Sequence, residues 1–123
     1  MSNENILIQP CNYVKKGWGY EVWICNFPTY CGKILSFEKD KKCSWHYHKI
    51  KDEVLYVQEG QILLRYGWND DIEKCSSLKL IPGMSFHIPT GLRHQMQATE
   101  DTKIFEFSTH HEDSDSIRLI PGD

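Results

Sequence analysis

The chain has 123 residues, room for one domain around one core. Its 14 Lys and Arg stand against 17 Asp and Glu, a formal charge of −3, with no basic stripe of the kind a nucleic-acid backbone requires. Apolar runs such as Ile62-Leu63-Leu64 are far too short to cross a bilayer, so neither nucleic acid nor membrane is expected as a partner.

Met1-Ser2-Asn3-Glu4-Asn5 carries neither a basic nor an apolar signal region, so no secretory leader is expected. Cys11, Cys25, Cys31, Cys43 and Cys75 are odd in number and lack Cys-x-x-Cys spacing. They read as free thiols in a reducing compartment, and a cytoplasmic location is expected. Cys43 is the one to watch, because it lies close to the histidines discussed below.

In chain order, short runs of β-branched and aromatic residues predict strands over Gly19–Asn26, Tyr30–Lys39, Cys43–Lys49, Glu53–Gln58, Gln61–Trp68, Ser77–Ile81, Ser85–Ile88, Leu92–Thr99 and Lys103–Thr109. Turn-forming residues separate them, among them Glu59-Gly60, Asn69-Asp70-Asp71, Pro82-Gly83 and Pro89-Thr90-Gly91. No long window shows an uninterrupted helical apolar stripe. Many short, evenly spaced strands predict an all-β sandwich or barrel. A single domain is expected over 1–123, its barrel spanning about 17–110. The polar, acidic stretch from His111 leads into Ile117-Arg118-Leu119-Ile120, so 111–123 is expected to be a tail packed on that barrel.

His46 and His48 are two residues apart. On a helix they would point about 200° apart; on a strand they share one face, about 6.5–7 Å apart, and can lean onto one ion. After the polar turn Lys49-Ile50-Lys51-Asp52 the chain resumes at Glu53, which a hairpin returns beside the histidines. His94, on the strand that follows Pro89-Thr90-Gly91, is the fourth candidate ligand. Three imidazoles and one carboxylate suit one divalent transition metal ion (Fe, Mn, Co, Ni, Cu or Zn) over Ca or Mg, with open positions for catalysis. His87, flanked by the better core residues Phe86 and Ile88, is expected to face outward, and His110 and His111 to be idle on the tail.

The same residues carry a family resemblance. His46-x-His48-x4-Glu53-x6-Gly60 resembles the first signature of the cupin superfamily, and Gly83-x5-Pro89-x-Gly91-x2-His94 resembles the second. The resemblance implies a jelly-roll β-barrel (a double-stranded β-helix) with its metal inside. Asp40 stands where the first signature often opens with Gly, and Ala98 where the second often closes with Asn.

Outside the signatures, Trp18-Gly19-Tyr20-Glu21 and the stretch from Glu106 to Arg118 are similar to the cupin domain of type II phosphomannose isomerases, which usually has Gln in place of His46. That resemblance implies a metal-dependent isomerase of a sugar phosphate such as mannose 6-phosphate. For such chemistry Glu106 is the candidate catalytic base, and Arg118, then Lys33, the candidate phosphate-binding cations. A non-haem dioxygenase and a metal-stabilised carbohydrate-binding module without turnover are the alternatives. Trp45 and Tyr47 alternate with the ligand histidines, so they are expected on the outer face, buried by another layer or a partner subunit. A homodimer is expected on that ground.

Overall fold

The computed structural model describes residues 10–123; the N-terminal residues read above for a leader lie outside them. Among the described residues there are eleven strands, most of them with period-two alternation of burial: β1 (Asn12–Lys16), β2 (Gly19–Asn26), β3 (Cys31–Phe37), β4 (Trp45–His48), β5 (Glu53–Glu59), β6 (Ile62–Gly67), β7 (Ser76–Leu80), β8 (Ser85–Ile88), β9 (Arg93–Ala98), β10 (Thr102–Ser108) and β11 (Ser116–Ile120). They pair antiparallel into a six-stranded sheet, β1-β2-β3-β10-β5-β8, and a five-stranded sheet, β11-β4-β9-β6-β7. This is the all-β jelly-roll barrel that the strand pattern and the signatures anticipate.

Two strands escape the sequence pattern. β1 is a largely exposed edge with little apolar alternation. β11 lies inside the stretch read as a tail, and it enters the smaller sheet by pairing with β4: Ser116 opposite His48, Ile117 opposite Tyr47, Arg118 opposite His46. Among the described residues no helix is long and apolar enough to cross a membrane.

The interior is divided along the strands. At one end the inward residues are apolar: Leu35, Leu55, Met96 and Ile104 are all buried. Two residues along each strand, on the same inward face, the apolar residue gives way to Lys33, Glu53, His94 or Glu106, each equally buried. The apolar half stabilises the barrel, at about 1.5–3 kcal/mol for each fully buried aliphatic side chain. It thereby offsets the burial of charge in the other half.

Two turns depend on left-handed backbone. Gly60 has φ 91°, and a Cβ there would lie 2.4 Å from the Asp101 carbonyl oxygen, so no side chain fits without moving the β9–β10 turn. Asp40, at the position where the first signature often has Gly, has φ 70° and is the one non-glycine with positive φ among the described residues. Asp tolerates this region better than most residues but still with strain. Asp40→Gly is expected to raise stability by about 0.5–1 kcal/mol, seen as a higher Tm; a lower Tm would contradict this reading.

The outer face of β4 meets the first of the two expected alternatives. Trp45 is fully buried, and its indole Nε1 donates to the Asp70 carbonyl at 2.8 Å. The Arg93 guanidinium covers Tyr47 at 3.7 Å from the ring centre. The extra layer is the chain's own β6–β7 loop with Arg93, so these aromatics give no ground for a partner subunit.

Candidate metal centre

His46 and His48 share the inward face of β4, and His46 sits directly opposite His94 on β9. The His46 and His94 ring centres are 4.3 Å apart, and those of His46 and His48 5.2 Å. One ring nitrogen from each of the three histidines falls within 4.8 Å of the others, so the cluster could hold a metal ion. Glu53, first residue of β5, faces them from the other sheet: its Oε1 is 3.5 Å from His94 Nε2 and its Oε2 is 3.8 Å from His48 Nε2.

The backbone sets which nitrogen is free. His46 Nδ1 donates to the Ser44 carbonyl at 2.8 Å, and His94 Nδ1 donates to the Leu92 carbonyl at 2.9 Å. Both rings are thereby held with Nε2 bare, the state a metal ligand needs. His48 Nδ1 points at Asp115 Oδ2, 3.8 Å away.

Burial lowers the pKa of His46 well below the usual histidine value, with His94 and His48 adding to the effect. Burial likewise lowers His48 to about 4. His48 Nδ1, Glu53 Oε2 and His94 Nε2 are buried with no hydrogen-bond partner. Buried polar atoms are rarely left so; of the three, His94 Nε2 and Glu53 Oε2 face the cluster, where a cation would satisfy a lone pair of each. The residues therefore fit a divalent transition metal, and a set of imidazoles with no thiolate suits the borderline ions.

Glu106, on β10, lines the same cavity. Its Oε2 accepts from Ser108 Oγ at 2.9 Å and lies 2.6 Å from the Lys51 ammonium. Burial raises its carboxyl pKa, with the Glu53 charge adding to the rise and Lys51 opposing it. Lys33 also faces inward, opposite Glu106, but its ammonium is 3.3 Å from Glu21 and lies over the Trp23 ring. Arg118 stands at the mouth, one strand from His46, exposed and without an ion pair among the described residues. His46, His48, Glu53, His94, Glu106, Lys33 and Arg118 all line one cavity of about 430 Å³.

A cupin-domain family model matches residues 33–110, which holds both signatures and all four candidate ligands. The chain is a cupin. Its fold is similar to that of CapF, a capsular polysaccharide assembling protein from Staphylococcus aureus, with TM-score 0.78 and 16% identity over 92% of this chain and 35% of that one. It is similar also to oxalate decarboxylase from Bacillus subtilis, with TM-score 0.77 and 14% identity over 89% of this chain and 30% of that one. KdgF from Halomonas sp. resembles it along most of both chains, 84% of this one and 89% of the other, with TM-score 0.71 and 17% identity. The cupin described here spans about a third of the length of the CapF and oxalate decarboxylase chains. No curated protein sequence matches it.

This cupin also builds its site from residues the sequence pattern passed over. Lys51, read as part of a polar turn, is 3% exposed. Its ammonium lies 3.2 Å from Glu53 Oε2 and 3.1 Å from His111 Nδ1, besides its contact with Glu106. Asp115, read as part of an acidic tail, is buried and accepts the backbone N–H groups of Lys49, Ile50 and Lys51 at 2.9–3.0 Å. His111 is not an idle tail residue. It lines the cavity, packs edge-on against Trp23 and bonds Asp113 at 2.9 Å. His110 remains near the surface, 3.0 Å from the Phe27 carbonyl. His87 faces outward and pairs with Asp52 at 2.8 Å. Cys43 lines the cavity too, but burial pushes its thiol pKa up to about 12, so it stays protonated and is a poor metal ligand.

Proposed function

We propose that this cupin is a metal-dependent enzyme that interconverts an aldose and a ketose phosphate, with mannose 6-phosphate as the first substrate to test. The observation that carries the reading is one cavity holding an orphaned imidazole cluster, a second buried carboxylate (Glu106) and, at its mouth, an arginine without an ion pair among the described residues. His46, His48, Glu53 and His94 would hold the ion. Bound there, a divalent ion supplies Lewis acidity toward the carbonyl and adjacent hydroxyl of a sugar.

The chain's own residues do the rest. Glu106 takes a proton from the carbon beside the carbonyl and returns it to its neighbour, a role favoured by a carboxyl whose pKa burial has raised. Ser108 fixes one oxygen of that carboxylate. Arg118 grips the phosphate with its planar fork. Lys33 adds a buried positive charge to the cavity but shares it with Glu21, so it ranks second. Among the structural neighbours, a capsular polysaccharide assembling protein is compatible with carbohydrate chemistry on this fold, although a shared fold does not carry the activity.

The test is to load the protein with one metal at a time and follow mannose 6-phosphate by NMR, with and without O2. Conversion to fructose 6-phosphate supports the reading. Oxygen uptake with Fe(II) would replace it with a dioxygenase, and saturable sugar binding without turnover under any metal would replace it with a binding module. Arg118→Ala is expected to raise KM about tenfold or more while changing kcat less; an unchanged KM would remove Arg118 from the phosphate site.

We further propose a homodimer, now on a different surface. The outer face of the larger sheet carries a cross-strand row of Tyr13, Val22, Ile34, Phe105 and Tyr56, with exposed Phe107 beside it. Sedimentation is expected to show a dimer at micromolar concentration, and a monomer at high micromolar concentration would contradict it. Free thiols at all five cysteines support the cytoplasmic location.

A further inference from the structure

The β4–β5 turn delivers a charged residue into the middle of the site. Asp115 fixes the backbone of Lys49, Ile50 and Lys51 by accepting all three of their N–H groups. The Lys51 side chain then reaches inward, and its ammonium meets three groups: Glu106 Oε2 at 2.6 Å, His111 Nδ1 at 3.1 Å and Glu53 Oε2 at 3.2 Å. The ammonium is thereby shared among three neighbours of its own chain, one by a hydrogen bond and two as ion pairs. The contact with Glu53 is an ion pair without hydrogen-bond geometry, which leaves that oxygen's lone pairs open.

We propose that Lys51 is the positioning residue of this centre, tying Glu106 to Glu53 so that the carboxylate meant for the metal and the one meant for the substrate are set by a single ammonium. This rests on the metal-dependent reading above for the role of Glu106, but its hold on Glu53 stands apart from any reaction. Glu106 is joined to the ligand set through Lys51. Removing the Glu106 charge leaves the ammonium with Glu53 as its one carboxylate partner, where it competes with the metal. The consequence is energetic coupling between a residue that is not a ligand and the affinity for the ion, carried by Lys51.

The experiment measures Co2+ affinity by competition with a chromophoric chelator in the full chain, in Glu106→Gln, in Lys51→Met and in the double variant. Glu106→Gln is expected to weaken Co2+ binding about tenfold when Lys51 is present. It is expected to change binding less than about twofold when Lys51 is Met, because the cycle isolates the part that passes through Lys51. The same tenfold loss in both backgrounds would mean that Glu106 acts on the ion directly through space, and would overturn the proposal. No loss in either background would overturn it too.

If Lys51→Met does not fold, Lys51→Arg replaces it. The guanidinium keeps the charge but spreads it over a plane, so the effect of Glu106→Gln should change by severalfold; an unaltered effect overturns the proposal. Wild-type protein that binds Co2+ with this coupling yet converts no sugar phosphate would sink the isomerase reading and leave the role of Lys51 intact.

Discussion

Protein carrying His94→Ala is expected to lose stoichiometric binding of any transition metal while keeping its barrel. His94 is fully buried, its Nδ1 is committed to the Leu92 carbonyl, and its Nε2 has no partner. A side chain with an orphaned buried nitrogen contributes little to the metal-free fold, so its removal should cost that form no more than about 1–2 kcal/mol. The metal-loaded form behaves differently. An ion present at a thousand times its dissociation constant stabilises the native state by about 4 kcal/mol, which for a chain of this size is a Tm rise of roughly 10–15 °C. Wild type should show that rise on adding Zn2+ or Co2+, and His94→Ala should show almost none. Equal rises in both would mean that the ion sits elsewhere, with the histidines of the 110–111 segment the first place to look.

The second large effect is expected at Asp115, which touches no substrate. Its carboxylate accepts three backbone N–H groups of the β4–β5 turn, two on Oδ1 and one on Oδ2. Hydrogen bonds to a charged acceptor contribute about 1.5–3 kcal/mol each, with losses that overlap when they share one acceptor. Asp115→Ala should therefore lower stability by about 3–4 kcal/mol, read as a Tm drop of roughly 10 °C. Asp115→Asn keeps the oxygen that takes two of the bonds and should lose about half as much. Metal affinity should fall in both variants, because the turn carries Lys51 and joins the ligand strand β4 to Glu53. A loss below about 1 kcal/mol in Asp115→Ala would show that the turn is held by its own geometry.

The sequence and the structure agree where local chemistry dictates the answer. A two-residue spacing on a strand puts His46 and His48 on one face whatever the rest of the chain does, and the glycine at Gly60 marks a turn that admits no Cβ. The period likewise puts Glu106 on the face opposite Phe105 and Phe107, but which face is interior it leaves open; the structure buries Glu106 and exposes Phe107. What stayed hidden depends on partners far away in sequence. Lys51 and Asp52 look alike in a polar turn, yet one is buried and the other is exposed enough to pair with His87 at the surface. The difference comes from Glu106 and Asp115, more than fifty residues farther along.

Trp45 shows the same limit from the apolar side. Its outward direction follows from alternation, but its cover is a loop carbonyl at Asp70 that no periodicity reports. The 111–123 stretch was legible as acidic and then apolar. Its pairing with β4, which brings Arg118 level with His46, becomes visible only when the sheet is assembled.

The most direct measurement is the anomalous scattering of a crystal of this protein grown with Co2+. A single strong peak within bonding reach of His46, His48 and His94, with the Glu53 carboxylate beside it, is the predicted result. A peak bound elsewhere, or three imidazoles hydrogen-bonded among water with no ion at saturating Co2+, would contradict it.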